Sequence, residues 1–167
     1  MIRQSIISIV LATAICAGCQ NQNPAPTSNE VNDKAPDTFR LRTRLGTEAK
    51  TFTKDSVMVS FTVINEADSV LRFCKWETPF EPQLGKYMEV TDEQGNEALF
   101  TGAMAKRMMP PPPESYIDVP SHDSVRTVFN LAKNYSVKSG EYKARYIGGG
   151  ISGLEAGNGI TFTITGQ

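Results

Sequence analysis

The chain has little of the chemistry that most metalloproteins and nucleic-acid-binding proteins require. Among its 167 residues there is one histidine, His122, so no H-E-x-x-H helix exists to place two imidazoles toward a zinc ion. Its 17 basic and 18 acidic side chains give a net charge of −1, which is not the basic footprint of a nucleic-acid-binding protein. We therefore expect no metal, no cofactor, no nucleic-acid partner and no enzymatic activity.

Long hydrophobic runs are also missing. The apolar segment at residues 6–15 follows Arg3 and spans 10 residues, whereas a helix that crosses a bilayer needs about 20. A basic residue, a short apolar stretch and small residues before Cys19 are typical of a secretory signal. The sequence ICAGC resembles a bacterial lipobox, although Cys16 stands where leucine is usual. We predict a lipoprotein signal peptide at residues 1–18 and lipidation of Cys19.

The residues after Cys19 are predicted to form a tether. Residues 20–37 contain one strong hydrophobe, Val31, among Asn, Gln, Pro, Ser and charged residues, so they cannot bury enough apolar surface to fold. A flexible segment of this length spans about 20–25 Å. We interpret residues 19–37 as a lipidated cysteine and disordered tether. In bacterial lipoproteins Gln20, like other residues except aspartate, implies sorting to the outer membrane, facing the periplasm or the cell surface.

Cysteine is scarce in the remaining chain. Once Cys16 is removed with the signal and Cys19 is acylated, Cys74 alone is left, so an internal disulfide is excluded. Cys74 lies in an apolar strand pattern, and we expect it to be a small core residue rather than a reactive thiol.

Alternating apolar and polar residues dominate residues 38–167. The segment SVMVSFTVIN places valines and Phe61 on one face, and similar short strands follow at 70–76, 124–131, 141–147 and 160–165. KYMEVTD and EALFTG flank a turn containing Gly95, which predicts a hairpin. We predict an all-β fold for residues 38–167, an antiparallel β-sandwich of seven or eight strands.

Two features favour an immunoglobulin-like sandwich. In SGEYKARY, Tyr142 precedes Ala144 by two residues, the spacing of the tyrosine corner at the start of strand F. Trp76 ends the strand after the one that carries Phe61, near the position of the core tryptophan in such domains.

The order of several motifs resembles the amino-terminal β-domain of bacterial deuterolysin-type zinc metallopeptidases (aspzincins). That domain carries a W-x-T-P element, a Lys-Arg pair followed by prolines and Glu-x-Tyr, and a closing G-x-Y-x-x-x-Y strand. The resemblance covers residues 40–147, at Trp76, Thr78, Pro79, Lys106, Arg107, Pro112, Glu114, Tyr116, Ser124, Gly140, Tyr142 and Tyr146. One local departure is PSHDS, which replaces a glycine-containing turn.

The resemblance implies an accessory domain without the peptidase. With one histidine, and with Gln167 at its end, the chain is expected to lack the catalytic domain. We predict a non-catalytic, lipid-anchored binding module that docks on an envelope or secreted protein, with a protease as one candidate. The candidate partner-binding residues are Trp76, Thr78, Pro79, Lys106 and Arg107. A structural or assembly lipoprotein of the envelope, with no link to peptidases, is the alternative, and a peptidase-related enzyme is a remote one.

Four other features are assigned structural roles. His122 lies between Ser121 and Asp123, but neighbours on a turn point apart, so we expect a solvated turn residue. Gly148, Gly150 and Gly153 match G-x-G-x-x-G, yet a strand follows them and no helix, which predicts a hairpin loop. The methionines at 104, 108 and 109 are expected to pack, and the prolines at 110–113 to carry the chain between strands.

Lipidation has a direct test. A Cys19→Ser variant should keep its signal peptide and take up no labelled fatty acid, because the acylated thiol is absent. A Cys16→Ser variant is the matched control and should be labelled as the parent is. Labelling of Cys19→Ser, detected by gel fluorescence after metabolic feeding of an alkyne fatty acid, would contradict the prediction.

Overall fold

A computed structural model describes residues 41–81 and 84–166. The predicted signal peptide, Cys19 and the tether lie outside these residues. The described part contains eleven strands and three short 3₁₀ turns. The strands are β1 (Arg42–Gly46), β2 (Thr51–Thr53), β3 (Met58–Ile64), β4 (Leu71–Cys74), β5 (Met88–Asp92), β6 (Leu99–Phe100), β7 (Tyr116–Val119), β8 (Ser124–Asn130), β9 (Tyr135–Ser136), β10 (Gly140–Tyr146) and β11 (Gly159–Thr165), and the turns are Pro113–Ser115, Leu131–Lys133 and Gly150–Ser152.

One sheet is built around β3. It has the order β1-β3-β8, and both pairs are antiparallel. The alternation predicted from the sequence is present, since Val59, Phe61 and Val63 have no exposed surface while the residues between them are partly open. β-branched and aromatic residues suit this half-buried, pleated position.

The second sheet has the order β2-β11-β10-β5. β10 pairs antiparallel with β11, as the predicted hairpin requires, and also antiparallel with β5, whereas β2 pairs parallel with β11. Two further pairs, β4–β7 and β6–β9, complete the sandwich. The count of eleven exceeds the predicted seven or eight because β2, β6 and β9 have only two or three residues, too few to show an alternation.

The strand order is that of an immunoglobulin-like sandwich. With β1, β3 and β8 as strands A, B and E, and β5, β10 and β11 as C, F and G, the sheets contain A-B-E and C-F-G. The tyrosine corner is also present, because the amide of Lys138 donates to the Tyr142 hydroxyl at 2.9 Å. Trp76 is buried, at 6 % exposure, but lies outside the main core cluster.

The core fills the space between the two sheets. Phe61 of the first sheet packs on Tyr146 of the second, with ring centroids 4.9 Å apart, and Tyr142 stacks on Phe162. Cys74 is 1 % exposed, which confirms the prediction that it is a core residue. Each large apolar side chain that is fully buried contributes about 1.5–3 kcal/mol to the stability of the fold.

The prolines lie between strands of this one domain, as predicted. They follow β6 and lead into the 3₁₀ turn Pro113–Ser115, directly before β7. Proline suits such a connection because it has no N–H to contribute to a sheet ladder.

The tyrosine corner is testable by removing one oxygen. Tyr142→Phe keeps the ring in the core but leaves the Lys138 amide without its acceptor, so the free energy of unfolding should fall by about 1 kcal/mol. The control is Tyr116→Phe, since Tyr116 is 38 % exposed and its hydroxyl has no hydrogen bond to the described residues. Urea denaturation measures both, and an equal loss in the two variants would contradict the assignment.

Candidate functional site

The loop at residues 75–81, which carries the W-x-T-P element, is held by its own threonine. The Thr78 hydroxyl donates to the carbonyl of Lys75 at 2.6 Å and accepts from the amide of Phe80 at 3.2 Å. Thr78 has no exposed surface, and Pro79 is also buried. Small polar side chains commonly close turns in this way.

Arg107 fixes the tryptophan of this loop. Its guanidinium lies 4.9 Å from the centre of the Trp76 ring and forms an ion pair with Glu81. The Arg107 and Glu81 side chains are 23 % and 13 % exposed, so this pair is screened less than a surface pair. The guanidinium thus stacks on an aromatic face and neutralises a largely buried carboxylate.

Three of the predicted partner-binding residues are therefore not displayed. Trp76, Thr78 and Pro79 are buried, because together they build the loop and its contact with Arg107. Lys106 is exposed and has no ion pair among the residues that the structure describes. Of the predicted set, Lys106 alone is exposed.

The proline segment is attached to the same loop. The amide of Lys75 donates to the carbonyl of Ser115 at 2.8 Å, and the Lys75 ammonium donates to the carbonyl of Glu114 at 3.1 Å. Met104, Met108 and Met109 were expected to pack, but they are 72, 89 and 63 % exposed. The expectation that they pack was therefore wrong.

The glycine loop after β10 also contacts residues 75–81. The Tyr146 hydroxyl donates to the carbonyl of Glu77 at 3.2 Å and lies 3.0 Å from the hydroxyl of Ser152. Burial raises the pKa of Tyr146 to about 12, so its proton stays in place at neutral pH. Glu77 has φ = 58° and accepts from the amide of Ile151 at 3.3 Å. Two loops that are far apart in sequence thus lie side by side.

The hairpin interpretation of these glycines is confirmed. β10 and β11 pair antiparallel, and the loop between them contains the turn Gly150–Ser152 rather than a helix. Gly150 has φ = 59°, a backbone conformation that residues other than glycine rarely adopt, so the turn at this position favours glycine.

His122 occupies an exposed turn, as predicted. Its φ is 53°, and its Nε2 lies 2.7 Å from Asp68, whose side chain is fully exposed. Ser121 donates instead to the carbonyl of Ala67, so the serine and the histidine do not face each other. Within residues 41–81 and 84–166, no group of three or more His, Cys, Asp or Glu side chains is arranged to hold a metal ion.

The hydrogen bonds at the two ends of β8 show which way its backbone points. Leu131 donates to the carbonyl of Val57, and Asn65 donates to the carbonyl of Asp123, both at 2.9 Å. Hydrogen-bonded and non-bonded pairs alternate along an antiparallel ladder. The odd-numbered residues of β8 therefore bond to β3, and the even-numbered ones direct their backbone groups away from it.

The outward backbone groups of β8 are consequently unpaired. Arg126 and Val128 point their N–H and C=O groups to the side opposite β3, where no described residue pairs with them. At the opposite end of the sheet, the outward backbone groups of Leu45 in β1 do have a partner. The Asn158 side chain accepts from the Leu45 amide at 2.9 Å and donates to the Leu45 carbonyl at 3.0 Å. Free strand edges are templates for another strand.

A groove of mixed apolar and polar lining lies beside this free edge. We call it the edge groove; its volume is about 440 Å³, and its lining includes Met58, Pro79, Phe80, Val128, Phe129, Lys133 and Asn134. Val128 is 51 % exposed, whereas Asn134 is 4 % exposed and its side-chain oxygen has no hydrogen bond from the described residues. The groove thus offers apolar walls and one buried acceptor.

One sequence feature indicates exposed apolar surface on β8. In SVRTVFN, Val125 and Val128 fall on opposite faces of the strand, so one valine had to be exposed if the other was buried. The open edge itself left no local signal, because it depends on which strand lies beside β8.

Comparisons with known proteins do not identify this chain. No protein-family model matches it, and no curated protein matches its sequence. In the described part of the chain, no helix has the length and apolar character needed to cross a membrane.

The Arg107 contact is testable by its effect on Trp76. Arg107→Ala should lower the free energy of unfolding by about 2 kcal/mol, because the Trp76 face loses its cation and Glu81 is left buried without its partner. Trp76 fluorescence should also shift to longer wavelength as water reaches the ring.

The adjacent cation supplies the control. Lys106→Ala removes the same charge from an exposed side chain and should change stability by less than about 0.5 kcal/mol. Chemical denaturation followed by tryptophan emission measures both variants. Similar losses in the two would show that the pairing of Arg107 with Trp76 and Glu81 contributes nothing specific.

Proposed function

We propose that this protein is a non-catalytic, lipid-anchored binding module of the cell envelope that captures an extended segment of another protein by pairing it with β8. The observation that carries the proposal is the free outer edge of β8 beside the edge groove. Strand addition to an exposed sheet edge is a recurring mode of peptide recognition, in which backbone hydrogen bonds provide affinity and side-chain pockets provide specificity.

The free backbone groups on the outer edge of β8 belong to two residues. Arg126 and Val128 together present two donors and two acceptors, which is the pattern that one added strand requires. Each hydrogen bond adds only about 0.5–1.5 kcal/mol because water competes for the same groups. Affinity must therefore also come from burying side chains of the partner.

The edge groove sets the chemistry of those side chains. Phe80 and Phe129 provide aromatic surface, Met58 is 43 % exposed, and methionine adapts its shape to different apolar partners. Lys133 is exposed at the same groove and favours an acidic residue nearby. The expected partner segment is extended, with alternate apolar residues and at least one carboxylate.

The location and partner class rest on the sequence. The lipobox at Cys19 and the tether that follows support attachment at the outer membrane through the amino-terminal lipid. The resemblance of residues 40–147 to a domain that accompanies a peptidase supports an envelope or secreted protease as one candidate partner. Lys106 and the exposed methionines at 104, 108 and 109 provide a second surface that such a partner can contact.

A proline in the outer edge tests the proposal. Val128→Pro removes a backbone N–H that points away from β3, so the domain should remain folded, since edge strands tolerate proline where the N–H faces solvent. It should abolish capture of the partner from envelope extract. Val128→Thr, which keeps the N–H and the β-branched shape, is the matched control and should retain capture.

Hydrogen exchange distinguishes strand addition from other contacts. In the complex, the amides of Arg126 and Val128 should become protected, whereas the amide of Thr127 is already bonded to β3 and should change little. Capture that survives Val128→Pro would overturn the strand-addition mode. Absence of any captured protein, together with no inhibition of metallo-, cysteine or serine peptidases, would overturn the binding function and favour a structural lipoprotein.

A further inference from the structure

The outward face of the β1-β3-β8 sheet carries two arginines in one row. The register places Arg44 opposite Thr62, and Thr62 opposite Arg126, so both arginines flank the same threonine. Neighbouring strands lie about 4.8 Å apart, which sets the two arginine Cα atoms about 10 Å from each other. Both side chains are exposed and point to the same side of the sheet.

A polar groove follows this row. Its volume is about 480 Å³, and the two arginines border it together with the hydroxyl side chains of Thr62 and Ser124. Ser60 also lines the groove, but its hydroxyl donates to the carbonyl of Gly46 at 3.2 Å. Gly46 lies at the bottom of this groove, where a side chain would narrow it, because a Cβ at residue 46 would come within 3.0 Å of the Ser60 hydroxyl. Guanidinium forks and hydroxyl groups are donors suited to the oxygens of an anion.

The arginines of this groove are poorly neutralised, unlike those elsewhere. Arg72 and Arg145 each bond to a carboxylate at 2.7 Å. Arg126 approaches only Glu48, at 3.9 Å, and the Glu48 side chain is 93 % exposed, while Arg44 has no ion pair among the described residues.

One carboxylate, that of Asp123, borders the groove. Asp123 accepts from the amide of Ser124 at 2.7 Å. The centre of the row is Thr62, where an acidic residue would have paired with both arginines. The two arginines therefore share the groove with Asp123, while Glu48 approaches Arg126 from an exposed position.

We propose that this groove binds a phosphate group, held between Arg44 and Arg126 with hydroxyl contacts from the floor. Arginine suits phosphate because its planar fork donates two parallel hydrogen bonds to two oxygens. The phosphate can belong to a lipid headgroup or to a soluble phosphoester, since the groove is open on one side and recognises the anion itself. The site is distinct from the edge groove, because the two grooves have no lining residue in common.

Calorimetric titration of the full chain with inorganic pyrophosphate tests the site directly. Arg44→Gln and Arg126→Gln should each weaken binding about tenfold, because each removes charge-assisted hydrogen bonds to the anion. The double variant Arg44→Gln/Arg126→Gln combines the two changes. Its matched control is the double variant Lys138→Gln/Lys143→Gln. It also removes two exposed cations, but from around β10, and it should bind as the parent does.

Sedimentation with phosphatidylcholine vesicles, with and without phosphatidylglycerol, tests the lipid source. The amino-terminal segment is the same in every variant, so a difference between parent and Arg44→Gln/Arg126→Gln reports on the groove alone. Loss of pyrophosphate binding in the arginine variants supports a soluble phosphoester. Loss confined to phosphatidylglycerol vesicles supports a headgroup. If the parent binds neither probe more tightly than the double arginine variant, or if the lysine control is equally impaired, the proposal is wrong.

Discussion

The contact between Phe61 and Tyr146 is the interaction on which most of the described structure depends. Phe61 lies at the centre of β3 and Tyr146 at the end of β10, so their rings join the two sheets across the core. Because the Tyr146 ring is buried there, its hydroxyl is positioned to hold Glu77 and Ser152. A hydrophobic contact thus also fixes where the two loops meet.

Backbone pairing at the sheet edges explains why one side of the domain is suited to binding. A sandwich leaves end strands whose polar groups must find partners or remain in water. The side chain of Asn158 hydrogen-bonds to the backbone N–H and C=O of Leu45 in β1. At the edge of β5, the amide of Ala98 donates to the carbonyl of Val90. β8 keeps its outward groups in solvent, beside apolar side chains that would otherwise form part of a core. An edge of this kind can pair with an added strand, and this is the basis of the proposed capture of an extended partner.

The arginines of this protein serve two different purposes. Arg107 is used internally, since it covers Trp76 and neutralises Glu81, both largely buried. Arg44 and Arg126 lie on an open face without comparable partners. A charged side chain contributes to the fold where its counter-charge is shielded from water, and it remains available to a ligand where no counter-charge is near. Sequence proximity does not separate these cases, because Lys106 and Arg107 are adjacent and only one of them is internal.

The sequence by itself determined the fold class and several details. The alternation in β3, β10 and β11 is local and predicted a sandwich, and the spacing of Tyr142 predicted the tyrosine corner. What the sequence could not show is which residues face solvent in irregular segments, so it assigned Trp76, Thr78 and Pro79 to a binding surface and the methionines to the interior. The parallel pairing of β2, the open edge of β8 and the row of Arg44 and Arg126 were decided by tertiary structure alone. Each depends on which strands become neighbours, and that choice is made by burial across the whole chain.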